Sequence, residues 1–119
     1  MPSHTNLQWL DISHNYLQHL DYDFKHYPLL RTLYIHSNYL YDLNDLNQLS
    51  SREHLKTLTV HSNPLTEIPN FRCYTISILP QIKKLDSVLV SKKEVDNAMF
   101  LRTQIKKFPT PKNIPVPPV

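Results

Sequence analysis

Over the first two-thirds of the chain, apolar residues return in one fixed pattern. Leu7-x-x-Leu10-x-Ile12-x-x-Asn15-x-Leu17 is followed by Leu30-x-x-Leu33-x-Ile35-x-x-Asn38-x-Leu40 and then by Leu55-x-x-Leu58-x-Val60-x-x-Asn63-x-Leu65. The asparagines lie 23 and then 25 residues apart, a period at which supersecondary units repeat and stack. A fourth, degenerate unit starts at Ile82-x-x-Leu85, where Ser87 and Val88 break the pattern. Within each unit the buried positions alternate with polar or aromatic ones, as Leu10 and Ile12 do with Trp9, Asp11 and Ser13. That is the period of a half-buried strand. A strand this short is unstable alone, so the units are expected to stack side by side into a parallel sheet. The chain must then turn sharply, and Asn15, Asn38 and Asn63 stand at the turn. A buried amide there can bond the backbone of its own loop and of the next, satisfying groups that no strand ladder reaches. These three residues are read as a structural ladder.

The segments returning from one strand to the next differ. Leu17, Leu20 and Phe24 are loosely spaced, whereas Leu43, Leu46 and Leu49 step by three, which suits a 3-10 turn. In the third return Pro64, Pro69 and Pro80 forbid a long helix, leaving room for two helical turns over Phe71 to Leu79 with Ile76 and Leu79 inward. Ser91-Lys92-Lys93-Glu94 has the form of a capping box. It predicts a helix from near Lys92 to near Lys107, with Val95, Met99, Leu101 or Arg102, and Ile105 along one stripe. Such a helix would cover the last repeat, as terminal repeats require. Phe108 to Val119 holds five prolines in twelve residues and is expected to be extended and polyproline-II-like. It is read as a free end or as an arm that orders along a partner. The expected organisation is therefore repeats over 1–90, a capping helix over 91–107 and an extended tail over 108–119.

Composition narrows the function classes. A chain of 119 residues fits one domain. The absence of glycine excludes a dinucleotide fingerprint, a P-loop and a nucleophile elbow, each of which needs a residue without a side chain. The single cysteine, Cys73, permits no intrachain disulfide and suits a reducing cytosolic compartment. No signal peptide is read in Met1 to Asn6 and no apolar run is long enough for a membrane span, so neither membrane nor export is expected. Charge is lopsided. Residues 1–70 carry four Lys or Arg against seven acids, and residues 71–119 carry nine against three. The basic end reads first as a solvated helix face and second as a surface for an acidic partner.

The repeat and the segment Phe71-Arg72-Cys73-Tyr74-Thr75-Ile76-Ser77-Ile78-Leu79-Pro80-Gln81-Ile82-Lys83-Lys84-Leu85-Asp86 resemble the 22-residue-type leucine-rich repeat proteins of the cytosol and cilium and the cap that closes them. Phe71, Arg72, Pro80, Leu85 and Asp86 carry the cap likeness; Thr75 departs from it, standing where an aliphatic residue is usual. The resemblance implies an α/β leucine-rich repeat solenoid. Its short parallel sheet would lie on the concave face, with an irregular, 3-10-rich convex side and a C-terminal capping helix. It further implies a non-catalytic adaptor that docks onto a larger protein assembly, with a ciliary or axonemal address and tubulin or axonemal proteins as partners. A ribonucleoprotein adaptor of the spliceosomal U2 A-prime type and a phosphatase regulatory subunit are the alternatives.

In this architecture the residues flanking the strand leucines line the concave face in files: Trp9, Thr32, Thr57 and Lys84; Asp11, Tyr34, Thr59 and Asp86; Ser13, His36 and His61. Trp9, Asp11, Tyr34, His36, Thr59 and His61 are the expected partner contacts, led by the two large aromatics. His36 and His61 with Asp11 or Asp86 bring at most two metal ligands together, too few for a site. Ser13, His36 and Asp11 lack an oxyanion hole and a sheltered pocket. No cofactor, no metal, no catalysis and no direct nucleic-acid contact are expected. Residues 1–6 hold too little apolar surface to cap the first repeat, so its edge is expected to be covered by a partner.

Overall fold

In a computed structural model the described residues are 6–118; residues 1–5, which carry most of the expectation about the first edge, and Val119 lie outside them. Five short strands form one sheet in chain order: β1 (Trp9–Asp11), β2 (Thr32–Tyr34), β3 (Thr57–Thr59), β4 (Lys84–Leu85) and β5 (Val88–Leu89). The first four pair in parallel, with Leu10, Leu33, Leu58 and Leu85 in register. Three carbonyls seed this register. Gln8 O accepts from Arg31 N and Thr32 N, Arg31 O from Lys56 N and Thr57 N, and Lys56 O from Lys83 N and Lys84 N, all within 2.8–3.0 Å.

The fifth strand, which the repeat pattern does not announce, runs antiparallel to β4. Asp86 and Ser87 turn the chain between them with φ of 49° and 70°, the paired left-handed backbone of a two-residue hairpin. The same backbone region is used just before each ladder asparagine, at His14, Ser37 and Ser62. Glycine enters it most easily, and here polar residues occupy it throughout.

Leu33, Ile35, Leu40, Leu58, Val60 and Leu65 are closed off from solvent, as are Leu43, Leu46 and Leu49 on the 3-10 turn Leu43–Leu49. Each such side chain is worth roughly 1.5–3 kcal/mol of burial. The first repeat is different: Leu10, Ile12 and Leu17 pack against the core but stay half-exposed, because β1 is the edge of the described sheet.

α1 (Phe71–Ile78) lies across the third return and buries Ile76 and Ile78, with Leu79 just beyond. α2 (Lys92–Gln104) starts at Ser91, whose hydroxyl accepts from Glu94 N while Glu94 accepts from Ser91 N. It stops short of Lys107, with Ile105 already extended. Its inward residue is Ala98, flanked by the half-buried Val95 and Met99; the small side chain lets α2 sit close on α1. The tail is not a free arm. Phe108 and Pro111 are buried, the Phe108 ring standing edge-on to Tyr74 at 6.0 Å and beneath the Arg102 guanidinium at 4.6 Å.

The asparagine ladder binds the repeats together. Asn38 Nδ2 donates to Ile12 O, Ile35 O and His36 O, and its Oδ1 accepts from Asn15 N and Leu17 N. Asn63 repeats this with Ile35 O, Val60 O and His61 O, and accepts from Asn38 N and Leu40 N. Among the described residues the Asn15 side chain donates to Ile12 O and Ser13 O within its own repeat, and it is exposed. Asn38→Ala is therefore expected to cost about 1–3 kcal/mol, the price of stranding buried polar groups, and Asn15→Ala well under half as much. Equal urea midpoints for the two variants would rule out a buried ladder.

Candidate protein-interaction face

The side chains that alternate with the buried leucines form the solvent face of the sheet. Trp9, Thr32, Thr57 and Lys84 stand in one file, and Asp11, Tyr34 and Thr59 in the next. Trp9 is 54% exposed and meets the half-buried Tyr34 edge-to-face at 5.7 Å. Beyond the strands, His14, His36 and His61 make a third file. His36 and His61 stack at 4.5 Å with their planes 15° apart, and His14 stands edge-on to His36 at 5.2 Å.

Each of these groups is held. Asp11 accepts both the hydroxyl and the backbone N–H of Ser13, which lower its pKa. His36 Nδ1 lies 2.6 Å from the Thr59 hydroxyl, and His61 Nδ1 3.2 Å from that of Ser62. Ser13 thus turns to Asp11, and His36 to Thr59. Among the described residues no group of three or more His, Cys, Asp or Glu is arranged to hold a metal. Asp86, expected in the second file, sits instead in the hairpin turn and accepts from Val60 N and His61 N at 2.7 and 3.0 Å. It closes the end of β3 in place of a backbone carbonyl: the amides that match Val60 N in the earlier repeats, Ile12 N and Ile35 N, bond to Tyr34 O and Thr59 O.

The cap residues meet at Arg72. Its guanidinium donates to Glu94 through Nε and Nη2, to Leu85 O at 3.0 Å and to Val88 O and Leu89 O at 3.4 and 3.3 Å. One side chain ties α1, the hairpin and α2 together. Phe71 packs half-buried on the core, Leu85 is buried and Pro80 is exposed at the turn.

Three features escape a reading of the leucine pattern. Leu89 pairs with Lys84 and so lies on the same face, 74% exposed, at the far edge from Trp9. Tyr16 and Tyr39, each directly after a ladder asparagine, face one another at 6.2 Å; comparing the column after the asparagine would have found them. His19 joins two repeats, its Nδ1 2.8 Å from Asp45 Oδ2 and its Nε2 2.9 Å from the Tyr41 hydroxyl. That link spans the variable return segments, where register offers no guide.

A family model described as leucine-rich repeat matches residues 1–110. The chain belongs to the leucine-rich repeat family. It is similar to leucine-rich repeat-containing protein 51, 34% identical to the Bos taurus protein and 33% to the human one, over 85% of this chain and 53% of each relative. The chain thus spans about half the length of these curated relatives. Among solved structures it resembles the Drosophila melanogaster SNF/U2A′ complex, with a TM-score of 0.77 and 26% identity over 84% of this chain and 58% of the other. It also shares its fold with the Chaetomium Mex67:Mtr2 subunits, with a TM-score of 0.64 and 21% identity over 79% of this chain and 63% of the other. Leucine-rich repeats are protein-interaction modules whose stacked units create an extended concave surface. No helix among the described residues is long and apolar enough to cross a membrane.

Three perturbed groups give the repeat domain a pH signature. Arg72, and then the Ser91 amide, hold Glu94 down at about 2 from an ordinary 4.5. Burial, with repulsion from His61 and His14, holds His36 below its ordinary 6.5. Both contribute stability that is present above the ordinary value and lost as pH falls toward the folded one. Asp45 acts oppositely, since burial raises it above 3.8 despite its bond to His19. The urea midpoint is expected to fall in acid from about pH 6.5 downward and again between about pH 4.5 and about pH 2. Glu94→Gln should be less stable than wild type at neutral pH and should show a smaller lower step, what remains belonging to Asp11, which Ser13 also holds low. An unchanged lower step in that variant would place its origin elsewhere.

Proposed function

We propose that the domain is a non-catalytic adaptor that docks its solvent-exposed sheet face on a protein of a larger assembly, with a ciliary or axonemal setting as the specific address. The observation that carries the docking part is the Trp9–Tyr34 pair, a large exposed aromatic braced edge-on by a second at 5.7 Å. Rigid aromatics of this kind bury much area at little entropic cost and concentrate binding energy. The rows Thr32, Thr57 and Thr59 around them are small and half-buried, leaving room for a partner's side chains. The face's files of separate side chains, with Ser13 turned to Asp11 and His36 to Thr59, give catalysis little to work with. The ciliary address, with tubulin or axonemal proteins as partners, rests on the likeness to cytosolic and ciliary members of the family. In this reading the same assembly covers the half-exposed Leu10, Ile12 and Leu17 at the β1 edge.

The similarity to U2A′ in its complex with SNF favours a second reading, a ribonucleoprotein adaptor that holds an RNA-binding partner without touching nucleic acid itself. What is retained with the tagged chain from ciliated cells decides between the two. Tubulin and axonemal proteins support the first and splicing-particle proteins the second. With the partner in hand, Trp9→Ala or Tyr34→Ala is expected to weaken binding at least fivefold, about 1 kcal/mol, with the urea midpoint nearly unchanged. Binding that tolerates both substitutions would move the contact off this face.

A further inference from the structure

A second surface runs along the rim just past the asparagine turns. The residues directly after the ladder asparagines lie there in chain order, Tyr16 exposed, Tyr39 half-buried and Pro64 buried. The two tyrosines face each other at 6.2 Å, and Tyr16 is 65% exposed. Spaced by the roughly 4.8 Å between strands, they form an aromatic rail.

The tail runs onto this rail. Pinned by Phe108 and the buried Pro111, it passes Glu67 and Pro69, where Thr110 to Asn113 form the other wall of a cavity of about 440 Å³. It then reaches Tyr39 and Pro64, with Asn113 and Pro115 lining a further, open space of about 490 Å³. An extended proline-rich chain advances about 3.1 Å per residue. Pro111 to Pro115 therefore covers about 12 Å, some two and a half strand spacings, and roughly two more residues would carry it over Tyr16.

The tail holds this path loosely. Ile114 is 44% exposed and Val116 76%, so beyond Pro111 the tail is only partly covered, and open space is left beside it. Proline-rich segments dock on aromatic-lined grooves because they are already extended and lose little entropy on binding.

We infer that the Tyr16–Tyr39–Pro64 rim is a docking track for an extended proline-rich segment of a partner protein, with the chain's own residues 109–117 as its resident occupant. A partner segment that turns its apolar side chains inward fills the space the tail leaves and continues onto Tyr16. The track is separate from the Trp9–Tyr34 face and does not depend on that face's role.

The probe is a fluorescent peptide with the sequence of residues 109–118, titrated against the full chain and against the full chain carrying Pro111→Ser and Pro115→Ser, which loosen the resident tail. Hydrogen exchange of the strand amides confirms that each variant is folded. The loosened chain is expected to bind the peptide at least fivefold more tightly than wild type, with ring resonances of Tyr39 and Tyr16 shifting on titration. Adding Tyr39→Ala, or the exposed Tyr16→Ala should the first disturb folding, is expected to reverse the gain, while Trp9→Ala leaves it intact. Equal binding to both chains, no binding to either at millimolar peptide, or indifference to the tyrosines would overturn the inference. A concentration-dependent dimer of the loosened chain would overturn it in favour of a second copy as occupant.

Discussion

The structure depends on how a chain without glycine reverses direction after each three-residue strand. Every such turn exposes backbone groups that the sheet cannot pair, and burying them unpaired would cost more than the adjacent leucines return. Asn38 and Asn63 solve this with one amide each. The nitrogen gathers carbonyls from two repeats, and the oxygen receives two amides of the preceding turn. Sharp left-handed steps at His14, Ser37 and Ser62 deliver the amides to that position. With the turns satisfied in this way, each strand turns one leucine into the core and the solvent face is held in register.

That register shapes what the surfaces can do. The sheet face sets residues in straight files, so His36 stacks on His61 while Trp9 meets Tyr34 across two neighbouring files. A binding surface follows naturally from such an array. The cap has a different logic. Arg72 gathers a carboxylate and three carbonyls from two other elements, turning an open stack into a closed end where most of the chain's excess basic charge also lies.

Much of this was legible in the residues. Register-locked positions, where a leucine or asparagine recurs at a constant offset, translate directly into strands, core and ladder, and the capping box at Ser91 and Glu94 marked the start of α2. The β4–β5 hairpin was not legible, because a two-residue strand leaves no period and its turn uses Asp86 and Ser87 in place of glycine. The place of Asp86 was missed for a related reason: a carboxylate standing in for a strand carbonyl looks like one more exposed acid. The His19–Asp45–Tyr41 link and the path of the tail lie between segments of unequal length. There contacts depend on three-dimensional fit, and spacing along the chain carries no information. Pro111 shows this most plainly, since a proline-rich stretch reads as solvated until a surface is present to receive it.

The ladder also has a direction. The oxygen of Asn38 serves the turn of the repeat before it, that of Asn63 serves the turn of Asn38, and the Asp86 carboxylate receives the amides that end β3. Each unit is therefore completed by the one that follows it in the chain. On the ribosome, which synthesises a protein from its N-terminus, no repeat can lock until roughly one further repeat length, some 20–25 residues, has emerged behind it. The nascent domain would remain one repeat short of order at its growing end until Asp86, Arg72 and the capping helix arrive to finish the last unit.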